Sequence, residues 1–181
     1  MRARSRPAVW LLGILVGCGP APVKKVEVTS AAVKTADAVG YELRRLRPRD
    51  EEPLVGMFDR LRGQAVQDGK RVAVLFSADW CEPCRELEAE LGNKHPASKI
   101  GGVQILELKE EDWTAVTRMD EFDALRQRWT GMTGSYPLLM LLDPQGQKQE
   151  EMKEAIDRLT AAGVEPTLAN WLADTRPKTA G

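Results

Sequence analysis

The chain of 181 residues is poor in cysteine and histidine, with three and one respectively, and has no excess of either charge: 26 Lys and Arg stand against 27 Asp and Glu, a formal net charge of −1. The shortage of ligands excludes a four-ligand structural zinc site, because His95 is solitary and only one pair of cysteines is closely spaced. The balance of charge leaves no basic field to neutralise a phosphate backbone, so no nucleic-acid partner is expected. No apolar run approaches the roughly 20 residues that a membrane-spanning helix requires. What is there, 43% hydrophobic residues and 29% charged residues of mixed sign, suffices for one globular domain with short appendages and not for two.

The main appendage is at the front. Arg2, Arg4 and Arg6 precede an apolar stretch from Ala8 to Gly17, which is the basic-then-apolar pattern of an export signal. The stretch ends in Leu15-Val16-Gly17-Cys18, which resembles the lipobox of bacterial lipoproteins. That resemblance implies a signal peptide over 1–17, lipidation of Cys18, and a chain anchored in the bacterial cell envelope and facing the periplasm. An ordinary signal peptide or an uncleaved anchor is the alternative. Acyl chains on Cys18 would supply more than the two hydrophobic signals that stable anchoring takes. Gly19, rather than Asp, after the cysteine slightly favours the outer membrane. Loss of the segment removes three arginines and leaves a net charge of −4.

Residues 18–53 read as the lipidated N-terminus, a tether to about Thr35, and a possible edge element from Val39 to Leu46 that is either a strand or a short helix. Residues 54–175 read as the domain and 176–181 as a tail. Pro53 opens a helix on which Leu54, Met57, Phe58, Leu61 and Val66 share a face, with Gly69 just beyond its end. Arg71 to Ala78 is apolar and β-rich, the pattern of a strand covered on both faces. After it come Cys81-Glu82-Pro83-Cys84 and a helix to about Gly92, a strand from Val103 to Leu108, a helix from Asp120 to Trp129, a strand from Leu138 to Leu142, and the turn Asp143 to Gly146. Residues 148–159 are helical in composition, yet a hairpin partner for the preceding strand is due there. Pro166 to Ala173 begins a closing helix. Strands alternate with helices, so at least part of the sheet is expected to be parallel.

With Cys18 set aside, Cys81 and Cys84 remain, alone and two residues apart. So small a ring gains little as a structural cross-link, which leaves redox chemistry or a two-ligand metal carrier. Placement between a strand and a helix puts the Cys81 sulfur at a helix N-terminus, where free N–H groups and the helix dipole stabilise a thiolate. Pro83 needs no N–H partner in a first turn, and it fixes the backbone so that Cys84 returns beneath Cys81.

The segment Phe76 to Glu88, with Trp80-Cys81-x-x-Cys84 at its centre, resembles the thioredoxin superfamily, and within it the C-terminal thioredoxin-like domain of DsbD-type thiol:disulfide interchange proteins. Tyr136-Pro137 before a strand and the Asp143 to Gly146 turn support it, over roughly Leu54 to Ala173. The resemblance implies an α/β thioredoxin-like fold, a central mixed sheet flanked by helices, and thiol:disulfide oxidoreductase activity with Cys81 attacking and Cys84 resolving. It implies a cis Pro137, a Tyr136 backbone that pairs with an extended client peptide, and Trp80 shaping the client surface. The implied partners are proteins carrying disulfides and a membrane electron donor of the thiol-disulfide type; no cofactor is called for. The competing reading is a carrier that passes Cu(I) between the two thiolates. An inactive adhesion or assembly module is a third.

One departure concerns the acid that family members bury six positions before the first cysteine, because Leu75 stands there. Glu107, where thioredoxins have a lysine, is either the displaced acid, its pKa raised by desolvation, or a carboxylate at a solvated margin; the solvated reading is the expectation. Asp79 and Glu82 are either simple solvated loop carboxylates or negative charge near Cys81 that slightly raises its pKa and favours a reducing protein over a strong oxidant. The run from Glu107 to Asp112 reads as solvated charge, His95 as a surface residue, and Trp113, Trp129 and Trp171 as core.

Overall fold

The computed structural model describes residues 40–92, 97–130 and 135–175, the side chains of Ala97 and Ser98 excepted. All of these fall in the compact unit Ala36–Gly181. The expectations for the signal segment over 1–17, for Cys18, for His95 and for the tail over 176–181 lie outside the described residues.

Five strands form one mixed sheet in the order β1-β3-β2-β4-β5: β1 is Tyr41–Arg45, β2 Arg71–Ser77, β3 Val103–Lys109, β4 Leu138–Leu142 and β5 Lys148–Glu151. β3 lies parallel to β1 and to β2, while β4 runs antiparallel to β2 and to β5. The helices are α1 (Leu54–Gln67), α2 (Glu82–Leu91), α3 (Ala97–Ile100), α4 (Glu110–Thr114), α5 (Met119–Arg126), α6 (Met152–Ala161) and α7 (Leu168–Asp174). This is the mixed sheet flanked by helices that the sequence led us to expect.

The period-2 alternation of β2 and β3 decides how the layers form. Val72, Val74 and Phe76 of β2 and Leu106 and Leu108 of β3 pack with Leu54, Phe58 and Leu61 of α1, Trp113 of α4 and Phe122 and Leu125 of α5. Phe76 meets the Phe122 ring edge to face at 5.3 Å. Ala73, Leu75, Val103 and Ile105 point the other way, toward Leu87 and Leu91 of α2, Ala155 and Leu159 of α6 and Trp171 and Leu172 of α7. Trp113 and Trp171 are buried and Trp129 packs on the first cluster, as read from the sequence.

Two segments that the sequence left open are decided by the structure, and two others differ from expectation. The undecided segment before Pro53 is a strand, and β1 pairs with β3 from Tyr41 opposite Val103 to Arg45 opposite Glu107, so the sheet begins ahead of residue 54. Residues 148–159 are both things they resembled: β5 supplies the hairpin partner, and α6 starts at the next residue through a reciprocal Glu151–Glu154 capping box. The fifth helix ends at Arg126 rather than Trp129, because Trp129 leaves helical register to donate its indole N–H to the Gly146 carbonyl at 2.9 Å. Gly146 closes its turn at φ 86°, in the left-handed region that favours glycine. Glu110 to Asp112, the end of the run read as solvated charge, open the short helix α4, whose Trp113 is buried.

Candidate active site

β2 and β3 run parallel and end at Ser77 and Lys109, while the antiparallel β4 begins at Leu138 opposite Phe76, so three chain ends meet at one edge of the sheet. The carboxyl ends of parallel strands are where α/β sheets place ligands. Here that edge carries Asp79 to Cys84 after β2, Glu110 to Asp112 after β3 and Tyr136-Pro137 ahead of β4.

Cys81 and Cys84 are joined by a disulfide, their Cα atoms 5.3 Å apart. Cys81 is the N-cap of α2, and its sulfur accepts the Cys84 backbone N–H at 3.2 Å. Pro83 sits in the first turn of that helix, as expected, and Glu82 leads it with its side chain in solvent. The Tyr136–Pro137 peptide bond is cis. Ala78, Cys81 and Cys84 form a small buried cluster against which Tyr136 packs. Trp80 stands over this group edge to face with Tyr136, ring centroids 5.6 Å apart, and remains 67% exposed, so a large apolar surface lies open beside the disulfide. Burial holds the Tyr136 phenol well above its ordinary range, helped by the neighbouring Glu110 carboxylate, and the Arg126 guanidinium lies 4.7 Å from the ring centroid. Every site residue expected from the sequence, apart from Glu107 and the undescribed Cys18, thus belongs to one contiguous patch.

Glu107 requires a correction. It is 4% exposed rather than at a solvated margin, and its Cα partner across the strands is Leu75, the position where the resembled family buries its acid. By alternation it faces the α2 side of the sheet with Val103 and Ile105. Burial pushes the Glu107 carboxyl up; the nearby Lys109 opposes this and Glu88 adds to it. The solvated reading failed because a charged side chain in a strand was assumed to face water.

Lys109, two residues on and on the same face, belongs to the run read as solvated charge and needs the same correction. Its ammonium bridges Asp79 of the active-site loop and Glu88 of α2, both at 2.8 Å, with the residue only 9% exposed. Desolvation works against its charge, yet the two carboxylates hold its pKa above the ordinary value. The hydrogen bond from Lys109 holds the Asp79 carboxyl below its usual range. Asp79 also anchors the loop through its backbone, its N–H donating to Glu111 and its carbonyl accepting from Arg85. The negative field expected from Asp79 at Cys81 is therefore largely neutralised, and Glu82 is left to supply it. Placing Glu107 inward would have carried Lys109 with it, since strand residues i and i+2 share a face. The Ser77 hydroxyl, opposite Lys109, is fully buried on that face without a hydrogen-bond partner among the described residues.

No family model matches the chain. It is 34% identical to nucleoredoxin of Bos taurus and 33% identical to that of Homo sapiens, in alignments that cover 53% of this chain. The chain spans about a quarter of the length of these relatives, 26% in each case. Among solved structures, a mutant poplar thioredoxin h is similar with 17% identity and a TM-score of 0.48, over 79% of this chain and 92% of that one. A disulfide isomerase from Xylella fastidiosa has 16% identity and a TM-score of 0.40, over 71% and 93%.

Proposed function

We propose that the chain is a thiol:disulfide oxidoreductase that reduces disulfides in other proteins. The observation that carries this reading is two sulfurs sharing one bond at the N-terminus of α2, beside the cis Tyr136–Pro137 bond. In the reduced protein the Cys81 thiolate, favoured by the free N–H groups of the first helical turn, attacks one sulfur of a client disulfide and expels the other as a thiolate. Cys84, deprotonated, then attacks Cys81 in the mixed disulfide. The client leaves with two thiols, and the protein keeps the disulfide. Two electrons have passed to the client, and a dithiol donor must return them.

The remaining assignments belong to this proposal. The exposed Trp80 ring and the Tyr136 backbone receive the client, whose extended segment pairs strand to strand with Tyr136 next to Pro137. Glu82 raises the Cys81 pKa and makes the reducing direction the favoured one. Glu107, buried on the α2 side of the sheet, exchanges the proton of Cys84 in the resolving step. Export and lipidation at Cys18 place the domain on the periplasmic side of a bacterial membrane. In an oxidising envelope it takes its electrons from a membrane protein of the thiol-disulfide type.

The test is Cys84→Ser in the full chain. It holds the reaction at the mixed disulfide, so clients are recovered bonded to Cys81 and released by reductant. Recovery of none, together with no reduction of insulin by the unaltered chain, ends the proposal.

A further inference from the structure

Pro83 and Pro137, which flank the disulfide, also form one end of a cleft of about 290 Å3 bounded by α2, α6 and α7. Its walls are apolar: Leu87 of α2, Ile156 and Leu159 of α6, and Trp171 of α7. Most of these side chains are spent on the core, but Ile156 is 40% exposed, an apolar group that the described chain covers only in part. The volume falls at the lower end of the range for sites that engulf a ligand, the size to take a side chain rather than a cofactor. Since Pro83, between the two cysteines in sequence, and the cis Pro137 both line the cleft, what fills it lies near the disulfide, and a polypeptide segment next to the attacked cystine meets that requirement.

Its charge is one-sided. Among the described residues that line it the ionisable side chains are Glu86 and Glu90, one turn apart on α2, and there is no Lys, Arg or His. Glu90 is tied down, since it accepts the Leu168 N–H at the start of α7 at 3.1 Å. Glu86 is exposed. Nearby cations are engaged elsewhere: Arg158 pairs with Glu150 and Asp174, Lys153 with Asp157, and Arg85 with Glu82. A polar rim of one sign around apolar walls is complementary to an apolar side chain with cationic neighbours.

We propose that this cleft selects client segments in which an apolar residue is accompanied by Lys or Arg next to the disulfide. The inference rests on the redox reading above and names the class of client that the same site accepts.

The test uses the full chain, reduced with dithiothreitol and then freed of it, against two cystine-linked peptide dimers. Both carry Leu near the cysteine; one has Lys and the other Glu at the adjoining positions. Each event moves two electrons from the Cys81/Cys84 dithiol to the peptide cystine, leaving the protein disulfide and two peptide thiols. We expect the Lys peptide to be reduced about tenfold faster, the scale of a pair of exposed charge contacts. The preference shrinks as ionic strength rises. The substitution Glu86→Lys, on an exposed helical position, brings the ratio of the two rates to about one or inverts it. The ratio is taken within one protein, so a change in thiol reactivity cancels. Equal rates in the unaltered chain, or a ratio indifferent to both salt and Glu86→Lys, overturns the inference. Hydroxyethyl disulfide separates the two levels. If it is reduced while the peptides are not distinguished, only the cleft assignment fails; if neither it nor the peptides are reduced, the redox reading fails too.

Discussion

Under α1, α4 and α5 the two central strands present Val72, Val74, Phe76, Leu106 and Leu108, and the groups that meet them are apolar. Under α2 the same strands, one residue out of step, present Leu75, Ser77, Glu107 and Lys109, with a carboxyl, an ammonium and a hydroxyl all buried. The difference lies along the strands as well as across them. Toward their amino ends the second face carries Ala73, Val103 and Ile105 against α2 and α7, with the Arg71 guanidinium at its margin donating to the Leu172 carbonyl and the Thr175 hydroxyl. It turns polar over the last three residues, where the sulfurs stand. The first face is apolar apart from Gln104, which donates to the Glu42 carbonyl at the edge with β1, and the second gives up cohesion next to the disulfide.

That contrast can be broken from either side. The largest effect expected is on reactivity: Cys81→Ser abolishes disulfide reduction in an insulin turbidity assay while the reduced protein keeps its thermal midpoint, because the apolar face is untouched. Phe122→Ala, on that apolar face, is expected to cost about 3–5 kcal/mol in urea unfolding, the range for removing a buried aromatic ring, while the folded fraction retains its exchange rate. Lys109→Met on the polar face is expected to cost about 1–2 kcal/mol, since Glu88 and Asp79 lose a partner that is itself scarcely exposed, and to shift the pH profile of Cys81 alkylation upward as Asp79 is left uncompensated.

Glu107→Gln is expected to have the smallest effect on stability and the most informative one. The folded protein holds the Glu107 proton more tightly than the unfolded chain does, so this group makes stability fall as pH rises from the ordinary glutamate range through its raised value. The amide removes that part of the slope, and the variant is more stable than the parent at neutral pH by chemical denaturation. Glu121 behaves oppositely. Its carboxyl is held down by Arg118 and by the Leu54 N–H, so its contribution is lost as pH falls through its lowered value and Glu121→Gln flattens the acid limb. A Glu107→Gln profile that still falls over the same window removes Glu107 as its cause.

The apolar face was easy to read in the sequence, and the polar one was not. β2 carries the apolar run Val72 to Phe76 and β4 is Leu138 to Leu142 with Met140 at its centre, and the face of α1 is marked by Leu54, Met57, Phe58 and Leu61, so hydrophobic pattern alone placed them. The cysteine pair was legible because its spacing and the flanking strand and helix are local features. Glu107 and Lys109 were taken for surface because burial of a charge depends on partners far away in sequence: Glu88 on α2, Asp79 after β2, Arg45 on β1. β1 eluded assignment for a related reason, since an edge strand with only Tyr41 buried shows too little alternation to separate it from a helix. The junction at Glu151 was hidden because β5 and the first turn of α6 share one polar composition, and only the capping box divides them.

The sulfur of Cys81, to which the proposed mechanism gives the attack, also closes the first turn of α2 by accepting the Cys84 amide proton. If that mechanism operates, the cap changes with each step: what the Cys84 amide meets is in turn a disulfide sulfur, a mixed-disulfide sulfur and a thiolate. The Cys84 amide becomes an internal reporter, and its proton resonance should step through a distinct frequency for each form, letting a single nucleus count turnovers without any added dye.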